Sequence, residues 1–302
     1  MTRRQADLAL LLATAMWGTS FVAVKSALGY ATPFAFLTAR FGIAALLLAP
    51  GTRFLPPPRG RELWGGLLLG TLVALGFVSV TFGLLFTTPA RSAFIVSVSS
   101  VLAPVLAFLA LRRRAGWLAA LALALAALGM YLLTAPDSGG LNRGDLVTLI
   151  CALCFGGQIV AVTELAPYSE PRRLVWIQIA TTAVLSAIAA LLVERPHITW
   201  TLAFTGALAW TVVFASTVSF VLQAHAQRHM SAARAALIFC FEPLFAASTS
   251  WLVLGERLSV TQWAGGALIV AGMVLAELPV RRPLSVIRRP SVPGARRMTD
   301  DG

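Results

Sequence analysis

Long apolar runs alternate with short polar or arginine-bearing stretches along the chain. Ten runs can be marked, at roughly 6–28, 33–50, 63–86, 90–111, 116–134, 145–164, 174–193, 202–224, 232–254 and 261–279, each near the ~20 residues that cross a hydrocarbon core as a helix. A backbone in lipid has no water to bond, so spans this long must be helical. The lack of short segments of alternating polarity speaks against a barrel. The pattern predicts an all-α integral membrane protein.

The first run carries Trp17-Gly18-Thr19-Ser20-Phe21-Val22-Ala23-Val24-Lys25. Offset by 138 residues, the sixth carries Phe155-Gly156-Gly157-Gln158-Ile159-Val160-Ala161-Val162-Thr163, identical at four of nine positions. Arg40 meets Gln178 at the same offset, and Pro104 meets Pro243 at 139. The chain therefore reads as one unit written twice, with residues 1–139 and 140–279 as five-helix repeats and 280–302 as a tail. Five is an odd number of crossings, so the second copy starts from the opposite side of the membrane. The expected fold is ten transmembrane helices as two inverted five-helix repeats, a construction that in many secondary transporters holds substrate near the midplane between the copies.

Composition changes the picture little: 58% of residues are hydrophobic and 12% charged. The cations, however, set an orientation. With the N-terminus inside, the cytoplasmic side receives 18 of the 24 Lys and Arg residues, the outside receives Arg91, Arg143, Arg195 and Arg257, and Lys25 and Arg40 lie within spans. The positive-inside rule then puts both termini in the cytoplasm and absorbs the net charge of +12 without a nucleic-acid partner. Arginine pairs and prolines in 280–302 read as a disordered tail near anionic headgroups. Thr2-Arg3-Arg4, an apolar run and Ala13-Thr14-Ala15 resemble a signal peptide with its cleavage site. Asp7 and the repeat match at Trp17 favour an uncleaved first span instead.

Cys151-Ala152-Leu153-Cys154 has the spacing of a redox or zinc pair but lacks a second pair, a nearby His and a polar loop, and Cys240 is also within a span. Small apolar filling is the reading for all three. His225 and His229 share a helical face beside Arg228, where interfacial polarity explains them better than a metal site short of a third ligand. No metal and no cofactor is expected.

Polar groups within spans are costly in lipid and therefore informative. Glu242 stands near the middle of the ninth run directly before Pro243, which removes a backbone hydrogen bond and predicts a kink. Its carboxylate suits a proton, an ammonium group or a helix–helix contact. Lys25, the one lysine of the chain, either faces a cavity or snorkels to the interface. Arg40 lies deeper, on the order of 10 Å into the second run, and calls for a partner: a substrate carboxylate, a helix C-terminus or Glu242. Gln158 and Gln178 occupy the related places in the other half, so neutral amides face cations across the expected pocket. Ser97 and Ser100 share a face of the fourth run with Pro104, and Phe239 precedes Glu242 in the ninth. Trp17 is deep enough to line a pocket or to pack in a core, whereas Trp64, Trp117, Trp200 and Trp263 fit the interfacial belt. Gly66-Leu67-Leu68-Leu69-Gly70 reads as a helix-packing signal.

Taken together, the Trp17–Lys25 segment, Ala39-Arg40-Phe41 with Ile43-Ala44-Ala45-Leu46-Leu47-Leu48, Glu242-Pro243-Leu244-Phe245-Ala246-Ala247, Leu254-Gly255-Glu256-Arg257-Leu258 and Gly272 carry a resemblance. Over residues 6–279 the chain resembles the EamA-type ten-helix branch of the drug/metabolite transporter superfamily. The resemblance implies two inverted five-helix bundles, a central cavity formed chiefly by the first four helices of each, and the fifth and tenth helices as scaffold. The chain departs from the family between the fourth and fifth runs, where Arg112-Arg113-Arg114-Ala115 stands without the Gly-Glu pair often seen in both halves.

Family members resembling this chain include exporters of amino acids and related metabolites. The implied function is a secondary transporter of such small molecules in a bacterial-type cytoplasmic (inner) membrane, working by alternating access with possible proton coupling. Candidate binding residues are Trp17, Lys25, Arg40, Ser97, Ser100, Gln158, Gln178, Phe239 and Glu242, and candidate hinges are Gly18, Pro104, Gly156 and Pro243. Efflux of cationic drugs, which would lean on Glu242 rather than the cations, and uptake are the alternatives. A membrane enzyme would need a reactive constellation, and the chain has no His-Glu-x-x-His, intramembrane aspartate pair or phosphate-cradling loop.

Overall fold

The computed structural model describes residues 1–55, 57–58, 60–111, 117–133, 141–230, 235, 238–239 and 241–276. These form α1 (Arg3–Ala27), α2 (Pro33–Leu48), α3 (Gly60–Phe86), α4 (Pro89–Leu111), α5 (Trp117–Leu133), α6 (Arg143–Leu165), α7 (Pro171–Val193), α8 (Leu202–Trp210), α9 (Ser219–Gln227), α10 (Glu242–Leu254) and α11 (Val260–Ala276). An eight-residue π-helical stretch, Thr211–Val218, joins α8 to α9 without a break. No strand is present among the described residues. Seven helices there are long and apolar enough to cross a membrane; α5, α10 and α11 are shorter and fall within the fifth, ninth and tenth expected runs. The Arg112–Ala115 linker, Cys240 and the basic tail lie outside the described residues.

Helix starts follow local chemistry. Thr2 and Gln5 form a capping box at α1, as Asn142 and Asp145 do at α6, and Thr201 accepts the Phe204 N–H at α8. Prolines open α2 and α7, where a missing N–H costs nothing. Pro243 plays this part as well. The described α10 begins at Glu242, so the proline sits in its first turn. Gly255, with φ of 66°, closes α10 in the left-handed conformation.

Contacts between helix ends give the directions of the elements. The end of α1 meets the end of α3 through Lys25 Nζ and the carbonyls of Leu84 and Thr87. Thr87 Oγ1 donates to Asp145 at the start of α6 (2.9 Å). Glu194, following α7, accepts the Ala35 N–H near the start of α2 (2.8 Å). At the same end, the α1–α2 and α7–α8 connections pair through Thr32 N–H to His197 O (3.0 Å) and Thr199 N–H to Tyr30 O (2.7 Å). At the opposite end Glu62, early in α3, is salt-bridged to Arg173, early in α7 (2.5 Å). α1, α3 and α7 thus run one way and α2 and α6 the other.

Two glycines let helices touch. A Cβ on Gly18 would lie 2.7 Å from Glu242 O and 2.7 Å from Phe245 Cβ, so α1 packs backbone to backbone on α10. A Cβ on Gly156 would lie 3.0 Å from Ser99 O, placing α6 on α4 in the same manner. These residues hold matching places in the repeated motif. The two expected hinge glycines are therefore points of close helix approach. Pro104 falls within α4.

Candidate functional site

The crossing of α1 over α10 and of α6 over α4 leaves a cavity between the helices. Its polar groups are few. Arg40, Glu242, Gln158, Gln223 and serines from α1 and α4 stand among aromatic and aliphatic walls. Such a lining, apolar with a small number of placed polar groups, is typical of small-molecule sites.

Arg40 is completely buried. Its Nε–H donates to Ser216 Oγ at 2.8 Å, and its guanidinium carbon lies 5.0 Å from the Phe41 ring centroid and 4.5 Å from that of Phe77. Both terminal amino groups are without a hydrogen-bond partner among the described residues. A buried guanidinium left this way costs several kcal/mol unless an anion or water meets it. The sequence asked for a partner to this charge, and the protein itself supplies one hydroxyl and two ring faces.

Trp17 packs edge-on to Phe220 at 5.3 Å between centroids and beside Phe239 at 5.8 Å. Its indole N–H donates to Ala215 O at 2.9 Å, which fixes the ring. Phe77 links Phe155 (5.3 Å) to Phe220 (6.3 Å), extending the aromatic wall across both halves. Gln158 and Gln223 exchange amide hydrogen bonds of 3.3 Å. Ser97 Oγ donates to Phe94 O at 2.6 Å, while Ser100 Oγ has no partner among the described residues. Glu242 and Phe239 line the cavity from beyond α9.

Seven of the nine residues expected to bind substrate thus converge: Trp17, Arg40, Ser97, Ser100, Gln158, Phe239 and Glu242. Lys25 and Gln178 do not line the cavity. Lys25 sits at one end of it, capping the carbonyl end of α3, where a cation offsets the helix dipole. Gln178 is buried against α3, whose Gly70 approaches so closely that a Cβ would lie 2.7 Å from Gln178 O. This removes the space that its counterpart Arg40 has beside the π-helical stretch. The expected symmetry of the two positions therefore fails on backbone geometry.

Sequence reasoning passed over Phe77, Phe220, Gln223 and Ser216. Only Phe155 carried a signal, its alignment with Trp17 in the repeated motif. Among the described residues no three His, Cys, Asp or Glu side chains are grouped to hold a metal ion, and Cys151 and Cys154 are free thiols buried in α6.

A sequence model of the EamA-like transporter family matches the chain twice, over residues 4–135 and 142–278. A protein of Archaeoglobus fulgidus described as an uncharacterized transporter is 34% identical over 279 residues, 92% of this chain and 87% of that protein. An uncharacterized transporter of Synechocystis is 26% identical, covering 96% of this chain and 97% of its own length. An uncharacterized inner membrane transporter of Salmonella typhimurium is 27% identical over 92% of this chain and 97% of its length. A crystal structure with 19% identity superposes with a TM-score of 0.68 over 91% of this chain and 97% of that one, a likeness of fold.

Proposed function

The chain belongs to the EamA-like transporter family and is a membrane transporter, and we propose that it is a secondary transporter exporting amino acids or related small metabolites across the cytoplasmic membrane by alternating access. The observation that carries this reading is the cavity in which Arg40, with two amino groups unpartnered among the described residues, and Glu242 stand within one aromatic enclosure. A zwitterion offers a carboxylate to the first and an ammonium to the second, and the rings of Trp17, Phe77 and Phe220 take an apolar side chain. The paired amides of Gln158 and Gln223 supply neutral donors and acceptors.

Two inverted five-helix repeats supply the motion. The twofold family match and the motif offset of 138 support the repeat, and the opposite directions of α1 and α6 support the inversion. Alternating access then rocks one repeat against the other around the fixed site, with Gly18 and Gly156 as sliding contacts and Pro104 and Pro243 where the helices bend. Lys25 acts at the edge of the site: its two bonds to the end of α3 close the cavity beside Leu84, and breaking them opens that end. Glu242, free of substrate, is the group suited to carry a proton.

Efflux of a cationic drug is the second reading, favoured by the rings of Trp17 and Phe239 in the same enclosure as Glu242. Counterflow in proteoliposomes of purified protein separates the two. Unlabelled amino acids are loaded inside, and labelled aromatic and neutral aliphatic ones are followed. Saturable exchange supports the amino-acid reading. Exchange of organic cations alone would replace it.

A further inference from the structure

The π-helical stretch is the element that the cavity leans on most. Ser219 N–H reaches back five residues to Phe214 O, so Ala215 O is passed over by the bond an α-helix would give it. That carbonyl accepts instead from the Ser219 hydroxyl (2.7 Å) and from the Trp17 indole (2.9 Å). The widened turn also carries Ser216, whose hydroxyl accepts from Arg40 Nε at 2.8 Å. Thr217 Oγ1 donates to Val212 O, again five residues back, at 2.8 Å. Two helices from the first half are therefore moored to consecutive residues of one irregular turn. π-Helical turns are rare and recur at functional sites.

We propose that Ser216 is a positioning residue that ties up Nε of Arg40, so that the guanidinium takes a ligand carboxylate end-on through its two terminal amino groups. A guanidinium can grip a carboxylate side-on through Nε and one amino group, or end-on through both amino groups. Ser216 occupies the first mode. The Phe41 and Phe77 rings, 4.9 Å apart, pack together against one flank of the guanidinium, and the two amino groups left over are buried and unpartnered among the described residues. The fit is to a planar monoanion with two equivalent oxygens. A phosphate dianion would bring two charges to a single guanidinium, and a carboxamide would turn N–H groups toward N–H groups.

This inference rests on the carboxylate reading of the cavity and is tested without transport. Purified full-length protein in detergent is titrated with benzoate, benzamide and phenyl phosphate while thermal unfolding is followed. Benzoate raises Tm in the wild type and the other two do not. In Ser216→Ala the benzoate Kd rises at least about ten-fold, whereas Ser216→Thr, which keeps the hydroxyl, stays within about three-fold of wild type. Thr205→Val, which removes an exposed hydroxyl of α8 bonded to Thr201 O outside the turn, serves as the control and binds as wild type does. If Ser216→Ala is not monodisperse, Ser216→Cys keeps the volume with a weak acceptor and shows the same loss. Wild-type affinity in Ser216→Ala or Ser216→Cys would overturn the inference, as would benzamide binding equal to benzoate or no benzoate binding by the wild type. A wild type that binds benzoate but exchanges no amino acid removes the proposed substrate and leaves this inference standing. Amino-acid exchange with a benzoate affinity indifferent to Ser216 does the reverse.

Discussion

Gln158 on α6 and Gln223 on α9 hold each other by two reciprocal amide hydrogen bonds of 3.3 Å at the cavity wall. Each amide is buried, so each is the other's replacement for water. Removing one leaves its partner unsatisfied at about 1–3 kcal/mol, whereas removing both leaves no orphan. Gln158→Leu and Gln223→Leu are each expected to lower thermal stability, and the double variant to lose less than the sum. A double-mutant cycle on unfolding checks this; additivity would mean the pair is not coupled.

Lys25 was legible as an intramembrane cation but not as a cap. Its two bonds to the end of α3 predict that Lys25→Met loosens that end of the cavity. In a background with the native cysteines replaced by Ala, Val24→Cys is expected to react about ten-fold faster with a membrane-impermeant thiol reagent once Lys25 is Met, since hydrogen bonds to charged groups are worth about 1.5–3 kcal/mol. An unchanged labelling rate would remove Lys25 from the closure.

The glycines form a graded series. Gly18→Ala would drive a Cβ to 2.7 Å from a backbone oxygen that cannot step aside, and Gly156→Ala to 3.0 Å. Gly42 and Gly206 are helical with nothing within 4 Å of an added Cβ. The expected order of thermal stability is Gly42→Ala and Gly206→Ala above wild type, by up to about 1 kcal/mol. Gly156→Ala falls below wild type and Gly18→Ala lowest, by about 1–3 kcal/mol. Differential scanning of the four variants reads the order.

How much of this was written in the chain can be judged residue by residue. Span positions were legible because lipid demands long apolar helices, and Arg40 and Glu242 because charge in lipid is rare. The aromatic wall was not: Phe77 and Phe220 sit in runs that are apolar all round, and such runs carry no amphipathic signal to say which face looks inward. Arg91 read as a charge in an outer connection, yet it is buried and salt-bridged at 2.5 Å to Asp145, 54 positions away, a pairing that only the fold brings about. Gln178 read as a mirror of Arg40 because the repeat aligns them. The mirror breaks where α3 presses on α7 and the π-helical turn gives way beside α2, and neither backbone departure has a sequence signature.

The central claim is that Arg40 binds the carboxylate and Glu242 the opposite end of an amino acid. Counterflow of labelled L-phenylalanine measured side by side in wild type, Arg40→Ala and Glu242→Gln, with phenethylamine as the substrate lacking a carboxylate, tests it most directly. The account predicts saturable phenylalanine exchange in the wild type, loss of at least about ten-fold in KM or complete loss in Arg40→Ala, and no preference for phenethylamine. Full phenylalanine exchange in Arg40→Ala, or phenethylamine exchange that depends on Glu242 and ignores Arg40, would contradict it.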